Sequence, residues 1–302
     1  MTLPPDNASR SPGGPVRLLS FDLEEYFQVE AAAGAVAPGQ WDSFAQRMPA
    51  VVERILERLA SRGSTATFFV LGWVALRQGD LIRRIAHAGH EIASHGMAHT
   101  MIHRMTPRQF RDDVSESRQR LEDLSGQAVL GYRAPTFSIT RATAWALDVL
   151  VEAGFAYDSS VFPIRHDRYG VPDAPRFAHW AIGPAGGGLL EIPPLTLRIL
   201  GGNMPVGGGG YLRLLPLAVV KAALHSAARA DRPAMIYLHP WELDPRQPPL
   251  PMSRLNRFRH RLGLSRMEGK LQALLERYRF TSVAARVEEI RPNIAERFVY
   301  GG

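Results

Sequence analysis

The 302-residue sequence contains no cysteine. Disulfide scaffolding and thiolate chemistry are thereby excluded, and any zinc site must be built from histidine and carboxylate, which favours catalytic over structural zinc. Lysine is nearly absent, standing only at Lys221 and Lys270, so the positive side of the +7 formal charge is almost all arginine. These arginines are mostly interspersed with acids and match no nucleic-acid-binding motif, so nucleic acid is not an expected partner. No window approaches the roughly 18 consecutive apolar residues of a membrane-spanning helix. Residues 1–15 are polar, rich in Pro, Gly and Ser, and lack the apolar stretch of a secretory signal. They read as a disordered tail, and the chain is expected to be cytoplasmic.

What is present is an ordinary globular composition, 45% hydrophobic and 22% charged. Strand-like runs alternate with helix-like periodic runs, the pattern of an α/β protein with a largely parallel sheet. Apolar residues at 48, 51, 52, 55, 56 and 59 form a helical stripe that Gly63 ends before a buried strand over residues 65–71. Thr106, Pro107 and Gln109 form a helix start with a capping box, and Gly126 closes that helix. Residues 128–132 read as a strand. Residues 201–210 hold six glycines and Pro205 and read as a flexible loop able to cover a site.

The polar groups fall repeatedly at strand C-termini, where active sites of parallel α/β sheets and barrels assemble. Asp22, Glu24 and Glu25 follow one apolar run, His95 and His99 another, and His239 a third. Two imidazoles and a carboxylate can hold a divalent cation with a position left open, a second carboxylate can act as general base, and a separate imidazole can protonate an amine leaving group. This is a parts list for hydrolysis of an amide or ester. His103 extends the histidine series, but on a helix it would lie about 12 Å from His95 along the axis, too far to share one ion. Asp158 either caps the turn at Ser159 and Ser160 or joins the site, and Trp241 either lines a sugar-binding wall or is structural.

Four ordered motifs resemble the polysaccharide deacetylases of carbohydrate esterase family 4 over about residues 18–282. They are Phe21-Asp22-Leu23-Glu24-Glu25, Ser94 to His99, Arg133-Ala134-Pro135, and Tyr237-Leu238-His239. The resemblance implies a distorted, incomplete (β/α) barrel over residues 16–302, with an Arg-rich helical extension from about 252. It implies Asp22 as base, His239 as acid, Arg133 as the residue orienting the base, and Glu24, His95 and His99 as metal ligands. Pro135, Asp158 and Trp241 are expected to bind substrate. Because residues i and i+2 of a strand share a face, Asp22 and Glu24 can enter one site while Leu23 points away; Glu25 is the weaker candidate ligand. Thr136 stands where the family commonly has an aromatic.

Zinc is the first expectation for the metal, with cobalt, nickel or iron also compatible. The string Phe21 to Gln28, with His239 to Pro245, looks like a subgroup encoded with exosortase-type exopolysaccharide clusters. The expected partner is then an N-acetylated glycan, polymeric or lipid-linked. Arg254, Arg257, Arg259, Arg261 and Arg266 stand in a stretch without an acid and either form a solvated basic helix or contact anionic saccharide or lipid phosphates at the inner membrane face. The alternative functions are an allantoinase-like or cyclic-imide hydrolase and a catalytically silent carbohydrate-binding scaffold.

Overall fold

A computed structural model describes residues 14–301, so the expected tail lies almost wholly outside the described residues. Strand β1 (Arg17–Leu23) is followed by helix α1 (Met48–Ser61), which carries Pro49 in its first turn and buries Met48, Val51, Val52, Ile55 and Leu59. Strand β2 (Thr67–Val70) is buried along its whole length, as a parallel strand covered on both faces must be. Helices α2 (Gly72–Arg77) and α3 (Gly79–His87) lead to β3 (Glu91–Ser94). Helix α4 (Pro107–Ser125) has the expected cap: Thr106 Oγ1 accepts from Gln109 N, the Gln109 side chain accepts from Thr106 N, and Gly126 ends the helix at φ +68°. The expected strand at residues 128–132 narrows to β4 (Gly131–Tyr132).

Helix α5 (Trp145–Glu152) and β5 (Tyr157–Asp158) complete the first half. The second half contributes β6 (His179–Ile182), β7 (Gly188–Glu191), the hairpin β8 (Thr196–Ile199) and β9 (Gly202–Pro205), α6 (Gly209–Leu214), α7 (Leu217–Arg229) and β10 (Ala234–Leu238). Helices α8 (Arg254–Arg261), α9 (Met267–Arg277) and α10 (Val287–Ile290) precede β11 (Arg297–Val299).

The strands run in the order β10-β1-β2-β3-β4-β5-β7-β6-β11, parallel from β10 through β7, with β6 antiparallel to β7. Beyond β7 the chain swings back to β10 through a bridge between Pro194 and Met235 and a hydrogen bond from Leu195 N to Met235 O. This makes the fold a distorted, incomplete (β/α) barrel. Pro193 and Pro194 have no N–H to donate, so no regular ladder can form along that seam.

Residues 201–210 are not a flexible loop. Their first half is β9, and Gly207 and Gly208 then press against β10: Gly207 O accepts from Tyr237 N, and a Cβ on Gly208 would lie 2.2 Å from Tyr237 O. The glycines are there for close backbone approach. The segment from about 252 also returns to the barrel. Leu271, Leu274, Tyr278 and Phe280 belong to the main core, and Thr281 bridges Leu18 on β1.

Candidate active site

Four polar residues stand one step past the end of a strand: Glu24 after β1, His95 after β3, Arg133 after β4 and His239 after β10. Register brings them level. Phe21 pairs with Leu238 and Ser94 with Tyr132, so the residues that follow converge at one mouth.

Glu24 Oε1 lies 3.0 Å from His95 Nε2 and 2.9 Å from His99 Nε2. His95 Nδ1 lies 2.7 Å from the Arg133 carbonyl oxygen. A carbonyl only accepts, so Nδ1 carries an N–H, and in the neutral ring this leaves the Nε2 lone pair on the Glu24 side, where a metal-ligating histidine needs it. The three donors thus form a group that could hold a metal ion. Burial pushes the Glu24 carboxyl up, but the charges of His99 and His239 and polar contacts with His95 and His99 outweigh it and hold the group well below the ordinary carboxylate range. His99 takes φ +54°, a left-handed conformation that turns its ring back toward Glu24.

Asp22 is buried beside this group. Arg133, with no exposed surface, donates from Nη1 to Asp22 Oδ1 at 2.5 Å and to Ser20 Oγ at 2.9 Å, and from Nε and Nη2 to Ser159. Its guanidinium also lies over the Phe69 ring at 4.1 Å. The other Asp22 oxygen is 3.8 Å from His239 Nε2. His239 Nδ1 is 3.0 Å from Glu242 Oε2, and Glu242 is in turn 3.1 Å from Arg213 Nε. Burial alone would lower the His239 imidazolium, yet Glu24, Glu242 and Asp22 together raise it to about 9. It is therefore the charged, proton-carrying form that faces Asp22 at neutral pH.

These groups open into a cavity of about 180 Å³ walled by Phe137, Tyr169, Tyr237, Trp241 and the glycines at the start of α6. Thr136 lines it at φ +57°, a backbone conformation that a β-branched residue rarely takes and that costs about 1–3 kcal/mol. Trp241 reaches the cavity, with its ring stacked 5.3 Å from that of His239. Pro135 is buried behind its neighbours Ala134 and Thr136, which line the cavity instead. Asp158 is not brought to the site. It is fully buried, hydrogen-bonded by Ser160 and paired with the equally buried Glu191, because the β5–β7 register sets the two residues side by side. Glu25 turns the other way as well, its carboxylate accepting the backbone N–H groups of Arg47 and Met48 at the start of α1. His103 is exposed and belongs to no group of donors that could hold a metal ion.

Three contributors were not read from the sequence. Glu242 sits three residues after His239, a spacing that could have drawn attention. Arg213 carries no local signal. Asp113, on α4, binds the backbone N–H of Met97 through both carboxylate oxygens and so fixes the loop between His95 and His99.

Known proteins match this chain in two adjoining segments. Residues 40–157 match the family model for polysaccharide deacetylase, and residues 159–288 match that of a domain of unknown function (DUF3473). Asp22 and Glu24 precede the first match and His239 lies in the second, yet all three meet in one barrel mouth. The chain is 31% identical over 110 residues to a peptidoglycan deacetylase of Helicobacter pylori, covering 36% of each chain. It is 31% identical over 102 residues to a chitooligosaccharide deacetylase of Bradyrhizobium sp., covering 34% of this chain and 44% of that one. The chain thus spans less than half the length of these two curated relatives. In fold it is similar to a candidate polysaccharide deacetylase from Mycobacterium smegmatis, with TM-score 0.65, 21% identity and 98% of both chains covered. It is also similar to the Puue allantoinase, with TM-score 0.58, 20% identity and 96% and 97% covered. The match over residues 40–157 and these relatives support the polysaccharide deacetylase family for this chain.

Proposed function

We propose that the protein is a metal-dependent hydrolase that removes N-acetyl groups from N-acetylhexosamine units of a polysaccharide or its lipid-linked precursor, within exopolysaccharide assembly. One observation carries the reading. A carboxylate fixed by a buried arginine, Asp22, faces an imidazole paired with its own carboxylate, His239, beside the convergent donors Glu24, His95 and His99. An amide hydrolase that must accept one proton and deliver another needs these parts. The curated relatives named as deacetylases of peptidoglycan and chitooligosaccharide support an N-acetylated glycan as substrate.

Glu24, His95 and His99 would hold the ion, zinc by preference for a set of two imidazoles and one carboxylate. A divalent cation there supplies Lewis-acid polarisation of the acyl oxygen and activation of water. Asp22 accepts the proton of the attacking water, with Arg133 holding one carboxylate oxygen so that the other is presented to the cavity. His239, held by Glu242, then protonates the departing nitrogen, the C–N bond breaks, and acetate and a free amine result. Tyr237 and Trp241 line the space that a sugar ring would enter.

The test is acetate release from a panel of N-acetylated oligosaccharides, with ring amides alongside, before and after chelation and metal restoration. Metal-dependent acetate release is the expected result. Ring-amide hydrolysis without acetate release would give the site to an allantoinase-like reaction, and stoichiometric metal without hydrolysis of either class would make the protein a silent scaffold.

A further inference from the structure

Helix α8 presents an apolar stripe to solvent. Leu255, Phe258 and Leu262 are 57%, 62% and 38% exposed. At 100° per residue they fall within one narrow sector of the helix, while His260 and Asn256, the residues that pack against the protein, lie on the opposite side. Arg259 borders the stripe on one flank, and Arg254 and Arg261 border it on the other. No carboxylate among the described residues pairs with Arg254, Arg257, Arg259, Arg261 or Arg266, and the chain has no acid between Asp244 and Glu268. A fourth apolar side chain, Leu214, is 58% exposed at the end of α6, whose Arg213 binds the carbonyls of His260 and Leu262.

An exposed row of Leu and Phe bordered by arginines is poorly suited to water. It is well suited to the boundary of a bilayer, where the apolar side chains enter the acyl region and the arginine stems snorkel toward phosphates. The geometry points to α8 as an interfacial helix that docks this face of the protein on a membrane rich in anionic phospholipid. The occupant follows from charge complementarity: three arginines without a carboxylate partner, bordering an apolar stripe, match an anionic surface with an apolar interior.

The docking face lies close to the candidate active site. The His260 ring stacks 4.7 Å from Trp241, and Trp241 stacks 5.3 Å from His239, so a single side chain separates the membrane-facing helix from the proposed general acid. Resting on the function proposed above, this favours a substrate held at the membrane surface over a freely diffusing oligosaccharide.

The test is sedimentation of the 302-residue chain with phosphatidylcholine vesicles and with vesicles containing phosphatidylglycerol, read separately from acetate release on a soluble N-acetylated oligosaccharide. Binding to the anionic vesicles only, weakened as salt shortens the screening length, is expected. The Leu255→Ser/Phe258→Ser double variant should bind about tenfold or more weakly, Arg254→Gln/Arg259→Gln/Arg261→Gln likewise, and both should keep wild-type activity on the soluble substrate. Absence of binding to anionic vesicles, or binding that survives both variants, overturns the proposal. So does a concentration-dependent dimer that the double variant abolishes, which would give the face to a second copy of the chain. Vesicle binding without hydrolysis of any N-acetylated substrate would leave the docking face standing and remove the function proposed for the site.

Discussion

Arg133 and Asp22, 111 residues apart in the chain, meet as a buried ion pair with Nη1 2.5 Å from Oδ1, and neither side chain is more than 3% exposed. Removing one partner strands the other charge inside the barrel. Arg133→Met should therefore destabilise the protein by about 3–5 kcal/mol in denaturant unfolding. Arg133→Lys keeps the charge but not the planar fork that also binds Ser20 and Ser159. It should remain folded and lose activity about 10²-fold or more, because Asp22 is no longer held; full activity in the lysine variant would make the arginine purely structural.

Replacing both His95 and His99 with alanine should abolish stoichiometric metal without unfolding the barrel. Asp113→Ala should weaken metal binding by about 10-fold although Asp113 touches no metal, since it frees the Met97 N–H that orders the ligand loop. Metal analysis of dialysed protein checks both. Full occupancy in the double variant would remove the two histidines from the site.

Asp22→Asn should keep metal and lose hydrolysis, whereas Glu24→Gln should lose metal. Reversed phenotypes would reverse the assigned roles.

Glu25→Gln should leave metal binding unchanged, because the Glu25 side chain caps α1, and it should alter the pH dependence of stability instead. Burial pushes the Glu25 carboxyl up to about 7 from an ordinary value of 4.5. Between those values the folded chain holds a proton that the unfolded chain has released. The group's contribution to stability is thus full below 4.5 and is lost as pH rises through 7. The glutamine variant does not titrate, so it should gain on the wild type by about 1–3 kcal/mol above pH 7 relative to pH 4. Denaturant unfolding at the two pH values measures this, and an identical slope in both proteins would assign the titration elsewhere.

His239→Ala should retain metal, lose amide hydrolysis by about 10²-fold or more, and lose far less on an aryl acetate, whose leaving group needs no proton. Equal losses on both substrates would mean that His239 positions the substrate. Glu242→Gln removes one of the charges that raise the His239 imidazolium, so the alkaline limb of amide hydrolysis should move to lower pH.

The alternation of strands and helices, the capping of α4, and the placing of Glu24, His95, Arg133 and His239 just beyond strand ends are legible in the residues alone. These are local properties: apolar period, cap chemistry and the limits of an apolar run are written in neighbouring residues. Which strand-end residues meet is not legible there, because the Phe21–Leu238 and Ser94–Tyr132 registers depend on how distant strands pair. That is why Asp158, although at a strand end, closes on Glu191 inside the wall, and why Asp113 and Arg213 carried no signal. The glycines of residues 201–210 could not distinguish mobility from close approach, since both require the absence of a side chain, and only the backbone of β10 against Gly208 decided between them. In α8 the sequence shows arginines and an apolar spacing that suits a buried face equally well. The side turned to the core is fixed by His260 against Trp241, a contact between residues that local periodicity does not relate, and it leaves Leu255, Phe258 and Leu262 facing outward.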